Sequence, residues 1–159
     1  MKRTVYIETT VVSYLTAMPS SDPLIAGHQK STRDLWPLLL ADYETYVSDL
    51  VLQEAGRGNP EQARERLNAL EPFHALDATE EARALAARII ADGGIPLEYP
   101  EDAGHVAIAA LNGIEVVLTW NFAHLNNPFT RMKIRKIVEH AGYACPEICS
   151  PDELLEADR

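Results

Sequence analysis

Four short β-like runs, separated by longer helical patterns, constrain this chain more than any other feature. The runs are TVYI (4 to 7), TYVS (45 to 48), EVVLT (115 to 119) and EICS (147 to 150). Between them lie DPLIAGHQKSTRDLWPLLLADY, LVLQEAGRG, PEQARERLNALEPF and TEEARALAARIIADGG. In the last of these, Ala82, Leu85, Ala86, Ile89 and Ile90 recur at the spacing of one helical face, with Thr79 as N-cap and the Gly93–Gly94 pair as stop. Strands joined through helices need crossover connections, which make parallel sheets covered on both sides. The expected architecture is therefore α/β, a three-layer α/β/α sandwich around a mainly parallel central sheet. With 159 residues, no internal repeat and no Pro/Gly-rich linker, a single domain over 1–159 is expected.

Charge limits what such a domain can hold. Lys and Arg number 14 against 24 Asp and Glu, a net charge of -10. A field of that sign repels nucleic acid, so any nucleic-acid activity has to come from a local basic patch or a basic partner. No apolar run reaches the about 18 residues of a spanning helix, and MKRTVYIETT lacks the apolar region of a signal peptide. The expectation is a soluble, cytoplasmic protein without membrane contact. Cys145 and Cys149, in CPEIC, would stand roughly 13 Å apart in an extended segment, beyond disulfide reach. They read as free thiols of a reducing compartment; a zinc site with His140 is the other reading, and it lacks a four-ligand pattern.

The chemistry lies in acids at the ends of these elements. The first β-like run stops at Glu8, with the hydroxyls of Thr9 and Thr10 directly behind it, and ligands of open α/β sheets bind at the carboxyl ends of strands. Glu54 belongs to SDLVLQEAGRG, a helix with Ser48 or Asp49 as N-cap. Its neighbours at i−4 and i−3, Leu50 and Val51, set it along the apolar face. It either serves a site or reaches solvent or Arg57 from the edge of the stripe. Asp102 opens the helix EDAGHVAIAALNG, where the helix dipole alone would account for an acid. Asn121 follows the strand EVVLT in TWNFAHL, where a cap or turn would account for it. Together, these residues could gather oxygen ligands over one edge of the sheet. Three carboxylates at close quarters raise one another's pKa unless a cation neutralises them, and an oxygen-only set suits Mg²⁺ or Mn²⁺ rather than zinc.

VYIETTVVSYL, VSDLVLQEAGRG and EDAGHVAIAALNGIEVVLTWNFAHL resemble, in order, the successive motifs of PIN-domain proteins, in particular the VapC-type toxins of bacterial type II toxin–antitoxin systems. The resemblance covers residues 4 to 125 and continues weakly through EICSPDELL. It implies an Mg²⁺- or Mn²⁺-dependent endoribonuclease that hydrolyses RNA phosphodiester bonds, forms a homodimer and is neutralised by a cognate antitoxin. By position, Glu8 stands for the first acid, Thr10 for the hydroxyl two residues on, Glu54 for the second acid, Asp102 for the third and Asn121 for the fourth polar position. Glu54 is then a metal ligand or a base acting on water, and Asn121 a ligand or the holder of a water. Two departures matter. Glu8 is one methylene longer than the usual Asp, and the neutral Asn121 limits the set to three negative charges, which suits one cation better than two. A catalytically weak PIN domain, acting as a protein- or RNA-binding module, is the alternative that these departures leave open.

Local positive charge for RNA is offered by RMKIRK, with Arg131, Lys133, Arg135 and Lys136, although the same run reads equally as the solvated face of FTRMKIRKIVEHAG. Arg33, in HQKSTRDLW with His28 and Lys30, belongs to a helix that lines the groove or meets a second subunit. His105 and His124 read as supporting or structural residues, and Trp36 and Trp120 as packing.

Overall fold

The structure, a computed structural model, describes residues 1–158. In chain order the elements are β1 (Thr4–Ile7), α1 (Thr9–Thr16), α2 (Pro23–Ala41), β2 (Glu44–Ser48), α3 (Asp49–Ala55), α4 (Pro60–Leu70), β3 (His74–Leu76), α5 (Glu80–Ala91), α6 (Pro100–Leu111), β4 (Val116–Leu118), α7 (Pro128–His140), β5 (Glu147–Cys149) and α8 (Pro151–Asp158). Every strand pairing is parallel, and the order across the sheet is β3-β2-β1-β4-β5. The chain thus steps one way from β1 to β3 and the other way from β4 to β5. Right-handed crossovers put α1 to α4 on one face and α5 to α7 on the other. The packing agrees: α1 lies against α2, α3 and α4, α5 against α6 and α7, and α8 returns to α2. This is a three-layer α/β/α sandwich.

The central position of β1 explains its composition. Val5, Tyr6 and Ile7 have no exposed surface, and neither do Val117 and Leu118 of β4 beside them. A strand buried on both faces reads as a continuous apolar run rather than an alternation. The sequence expectation lacks β3, a three-residue edge strand with two exposed members and hence no apolar signature. Thr79 caps α5 as expected, its side chain accepting from the Ala82 amide, and Gly93 ends the helix region with φ 81°. Among the described residues no helix is long and apolar enough to cross a membrane.

The direction in which the chain steps across the sheet reverses between β1 and β4, so the crevice beyond their carboxyl ends is the topological switch point of the sheet. Glu8 and Thr119 stand there, each one residue past its strand.

Candidate metal centre

Glu8 occupies the N-cap of α1 with extended backbone (φ -81°, ψ 156°), and its amide still bonds to the Leu118 carbonyl at 3.0 Å, continuing the ladder. Its side chain is only 3% exposed. Two threonines hold the same carboxylate oxygen: Thr10 donates to Oε1, and Thr119 donates to Oε1 at 2.7 Å. Each hydroxyl then accepts a main-chain proton from the loop after β4, Thr10 from Trp120 N–H and Thr119 from Asn121 N–H, both at 2.9 Å. Glu8 is therefore tied to two strands and a loop. Burial pushes its carboxyl above the ordinary range, with His105 and the two threonines opposing.

Glu54, near the end of α3, is partly exposed and also held through one oxygen. Its Oε1 accepts from Thr9 Oγ1 at 2.6 Å and from His105 Nε2 at 2.6 Å. Consecutive residues of α1 thus secure two different acids. Burial alone would raise Glu54, but the hydrogen bond and charge of His105, with Thr9, outweigh it and hold the carboxyl below its usual value. His105 has no exposed surface. Its Nδ1 meets Tyr6 Oη at 2.7 Å, Tyr6 Oη meets Ser48 Oγ at 2.7 Å, and Ser48 Oγ caps α3 by accepting from Val51 N–H at 3.2 Å. Burial opposes the imidazolium, yet the bond to Glu54 and the charges of Glu8, Glu54 and Asp102 raise its pKa overall.

Asp102 lies in the first turn of α6, one turn before His105. Its Oδ2 stands 3.3 Å from His124 Nδ1, and the His124 ring stacks on Tyr99 with centroids 3.7 Å apart. Asn121 Oδ1 accepts from His124 N–H at 3.0 Å, which sets the Asn121 side chain beside the His124–Asp102 pair. Burial raises Asp102, with His105, His124 and Asn121 opposing.

The basic residues are spread out. Lys133 lines a groove of about 320 Å³ with His124 and Thr130, next to the Asp102 side of the site. Arg131 donates to Asn126, Arg135 pairs with Glu147 at 2.7 Å, and Lys136 shares a separate groove with these two arginines. Arg33 is exposed on α2. Trp120 is packed inside, donating to Thr32 at 2.9 Å.

One carboxylate oxygen each from Glu8 and Glu54 and one nitrogen of His105 lie within 4.8 Å of one another. A cation about 2.1 Å from each of its ligands brings them to about 4.2 Å or less, so the spacing is close to what a divalent metal needs. Among the described residues no buried side-chain nitrogen or oxygen lacks a hydrogen-bond partner, and no side-chain donor reaches Oε2 of Glu8 or Glu54. Those two oxygens are therefore free of side-chain partners that a cation would have to displace. The donor chemistry fits a divalent cation, and Asp102 stands outside the tight group of three. Sequence reasoning placed His105 among the supporting or structural residues and gave Thr9 and Thr119 no partner of their own. His105 had one signal, its i+3 spacing from Asp102 within an otherwise apolar helix face.

An all-parallel sheet of this order, sandwiched by helices and carrying acids at its switch point, defines a PIN-like fold. The VapBC2 structure from Rickettsia felis, solved bound to a DNA fragment from their promoter, contains a chain of the same fold, with a TM-score of 0.59 and 15% sequence identity over 92% of this chain and 98% of that one. The fold is VapC-like. No protein-family profile and no curated protein matches the sequence.

Proposed function

We propose that the protein is an Mg²⁺- or Mn²⁺-dependent endoribonuclease of the VapC kind, paired with a cognate antitoxin. The observation that carries this reading is the close approach of Glu8 and Glu54, from different elements, at the switch point of a VapC-like sheet, with Asp102 one turn of α6 before the His105 that lies beside them. Glu8, Glu54 and Asp102 would hold the cation. Once bound, it offsets charge on the phosphoryl oxygens and acidifies a water for in-line attack. The chain's own groups do the positioning: Thr10 and Thr119 orient Glu8, Thr9 orients Glu54, and Asn121 holds the His124 that pairs with Asp102. Lys133, which shares a groove with His124, would meet an RNA phosphate, while Arg33, Arg131, Arg135 and Lys136 would guide RNA from the surface around it.

An antitoxin partner is supported by the likeness to VapBC2 and by a groove of about 650 Å³ between α3, α5 and α6, lined by the apolar Leu50, Ala86, Ile90 and Ile108 together with Asp49, Arg83 and Glu101. Such a groove suits an amphipathic segment laid with its apolar face inward. A cytoplasmic homodimer of single-domain protomers completes the proposal. The second reading, a binding module of weak activity, draws on the burial of Glu8, which favours its neutral form.

Cleavage of RNA by antitoxin-free protein decides between them. Activity should need Mg²⁺ or Mn²⁺ and stop with chelator. Glu8→Gln and Asp102→Asn should each reduce it by more than about a hundredfold, since losing a metal ligand exceeds the loss for the partners that orient one. Undiminished cutting by these variants would show the acids to be structural.

A further inference from the structure

His105 lies beneath the acids with both ring nitrogens committed, and the proposed reaction assigns it no role. We infer that His105 is a positioning residue: it fixes the Glu54 carboxylate by donating to Oε1, so that Oε2 stays free for a divalent cation. The inference rests on the metal-dependent reading above and concerns how this chain prepares the site. The hydrogen-bond directions support it. Ser48 Oγ accepts from Val51 N–H, which leaves the Ser48 hydroxyl proton free for Tyr6; Tyr6 then donates to His105 Nδ1, and His105 Nε2–H donates to Glu54. Were the ring doubly protonated, Nδ1–H would donate to Tyr6 and Tyr6 to Ser48. In both patterns Nε2 carries a proton and gives it to Glu54.

A protonated Nε2 has no lone pair for a metal. Although that atom lies within 4.8 Å of both acids, its part is to hold a ligand rather than to be one. The arrangement around Glu8 has the same design. There too a pair of side-chain donors meets a single oxygen, Thr10 and Thr119 on Oε1, and no side-chain donor meets the other. Tyr6 explains the cost of the device. A phenol with no exposed surface in the central strand is tolerated because Ser48 and His105 satisfy its hydroxyl, and it in turn stops the imidazole from turning.

Calorimetric titration of Mn²⁺ into the metal-free full chain tests the inference, with thermal melts to verify folding. His105→Leu removes the donor, and His105→Gln keeps an amide donor near the place of Nε2. The Leu variant should bind Mn²⁺ about ten- to a hundredfold more weakly, the range for losing a partner that orients a ligand, and the Gln variant within about threefold of the parent. Tyr6→Phe, which leaves the ring in place but frees Nδ1, should weaken Mn²⁺ several-fold and stands in if the Leu variant does not fold. Equal affinities in the parent, Leu and Phe proteins would overturn the positioning role and leave the metal-dependent reading intact; so would a Gln variant as weak as the Leu variant. A parent that binds no Mn²⁺ would remove both.

Discussion

At the scale of the residue, the site is a set of charges whose balance depends on pH. Glu8 and Asp102 have raised carboxyls through burial, His105 is raised by its acidic neighbours, and Glu54 is lowered by His105 and Thr9 against its own burial. The first three act in one direction. A raised folded pKa gives stability that is complete below the unfolded value and lost as pH rises through the folded one. Glu54 acts oppositely, losing its contribution as pH falls through its depressed value. On these four groups the metal-free protein should be most stable near the ordinary Glu value of 4.5, declining above it as Glu8 and Asp102 lose their contribution and further above the ordinary His value of 6.5 as His105 does. Urea midpoints should fall from pH 6 to pH 8, and fall again below about pH 4. Saturating Mn²⁺ should move the optimum upward, because the metal replaces protons as the neutralising charge. A midpoint that rises from pH 6 to pH 8 without metal would mean that the acids do not share the field described.

At the scale of the element, close approaches between helices decide which substitutions the frame accepts. A Cβ on Gly94 would come within 2.9 Å of Ile137 Cδ1 and 3.1 Å of the Ile89 carbonyl, pushing α7 and the end of α5 apart. A Cβ on Gly104 would meet only Leu50 Cδ2, the mobile end of a side chain at the rim of the apolar groove. Gly94→Ala should cost about 1–3 kcal/mol by overpacking, whereas Gly104→Ala should stay near neutral because a helix gain of about 1 kcal/mol offsets the contact. Denaturant melts of both separate the cases. The elements themselves were readable in the sequence where burial or capping left a mark: β1, β2 and β4 as apolar runs, α5 by its periodicity and by Thr79. The edge strand β3 left none, since His74 and Ala75 are exposed. Of the candidate site, the acids Glu8, Glu54 and Asp102 stood out in the sequence as charges at element ends. Its hydrogen-bonded support did not, because Tyr6, Ser48 and His105 meet only when β1, β2 and α6 are packed together, and nothing local in the sequence records that meeting.

At the scale of the whole molecule, a cation at the centre should act as a keystone. Ligand at a hundred times its dissociation constant stabilises by about 2.7 kcal/mol, which for a chain of this size raises the melting temperature by roughly 5–10 °C. Mn²⁺ titrated against thermal unfolding should show this rise, and Asp102→Asn should remove most of it; a melting curve indifferent to Mn²⁺ in the parent would argue against the site. The strand order β3-β2-β1-β4-β5 also sets a schedule for synthesis. The first strand to leave the ribosome is the middle one, and its second neighbour does not begin until Val116. Before then Glu8 lacks its tether to Thr119, and Asp102 lacks Asn121. Contacts so distant in sequence close late, because the intervening chain must first be ordered. A nascent copy therefore carries the acids only as scattered parts, and the assembled centre waits for β4 and the loop behind it.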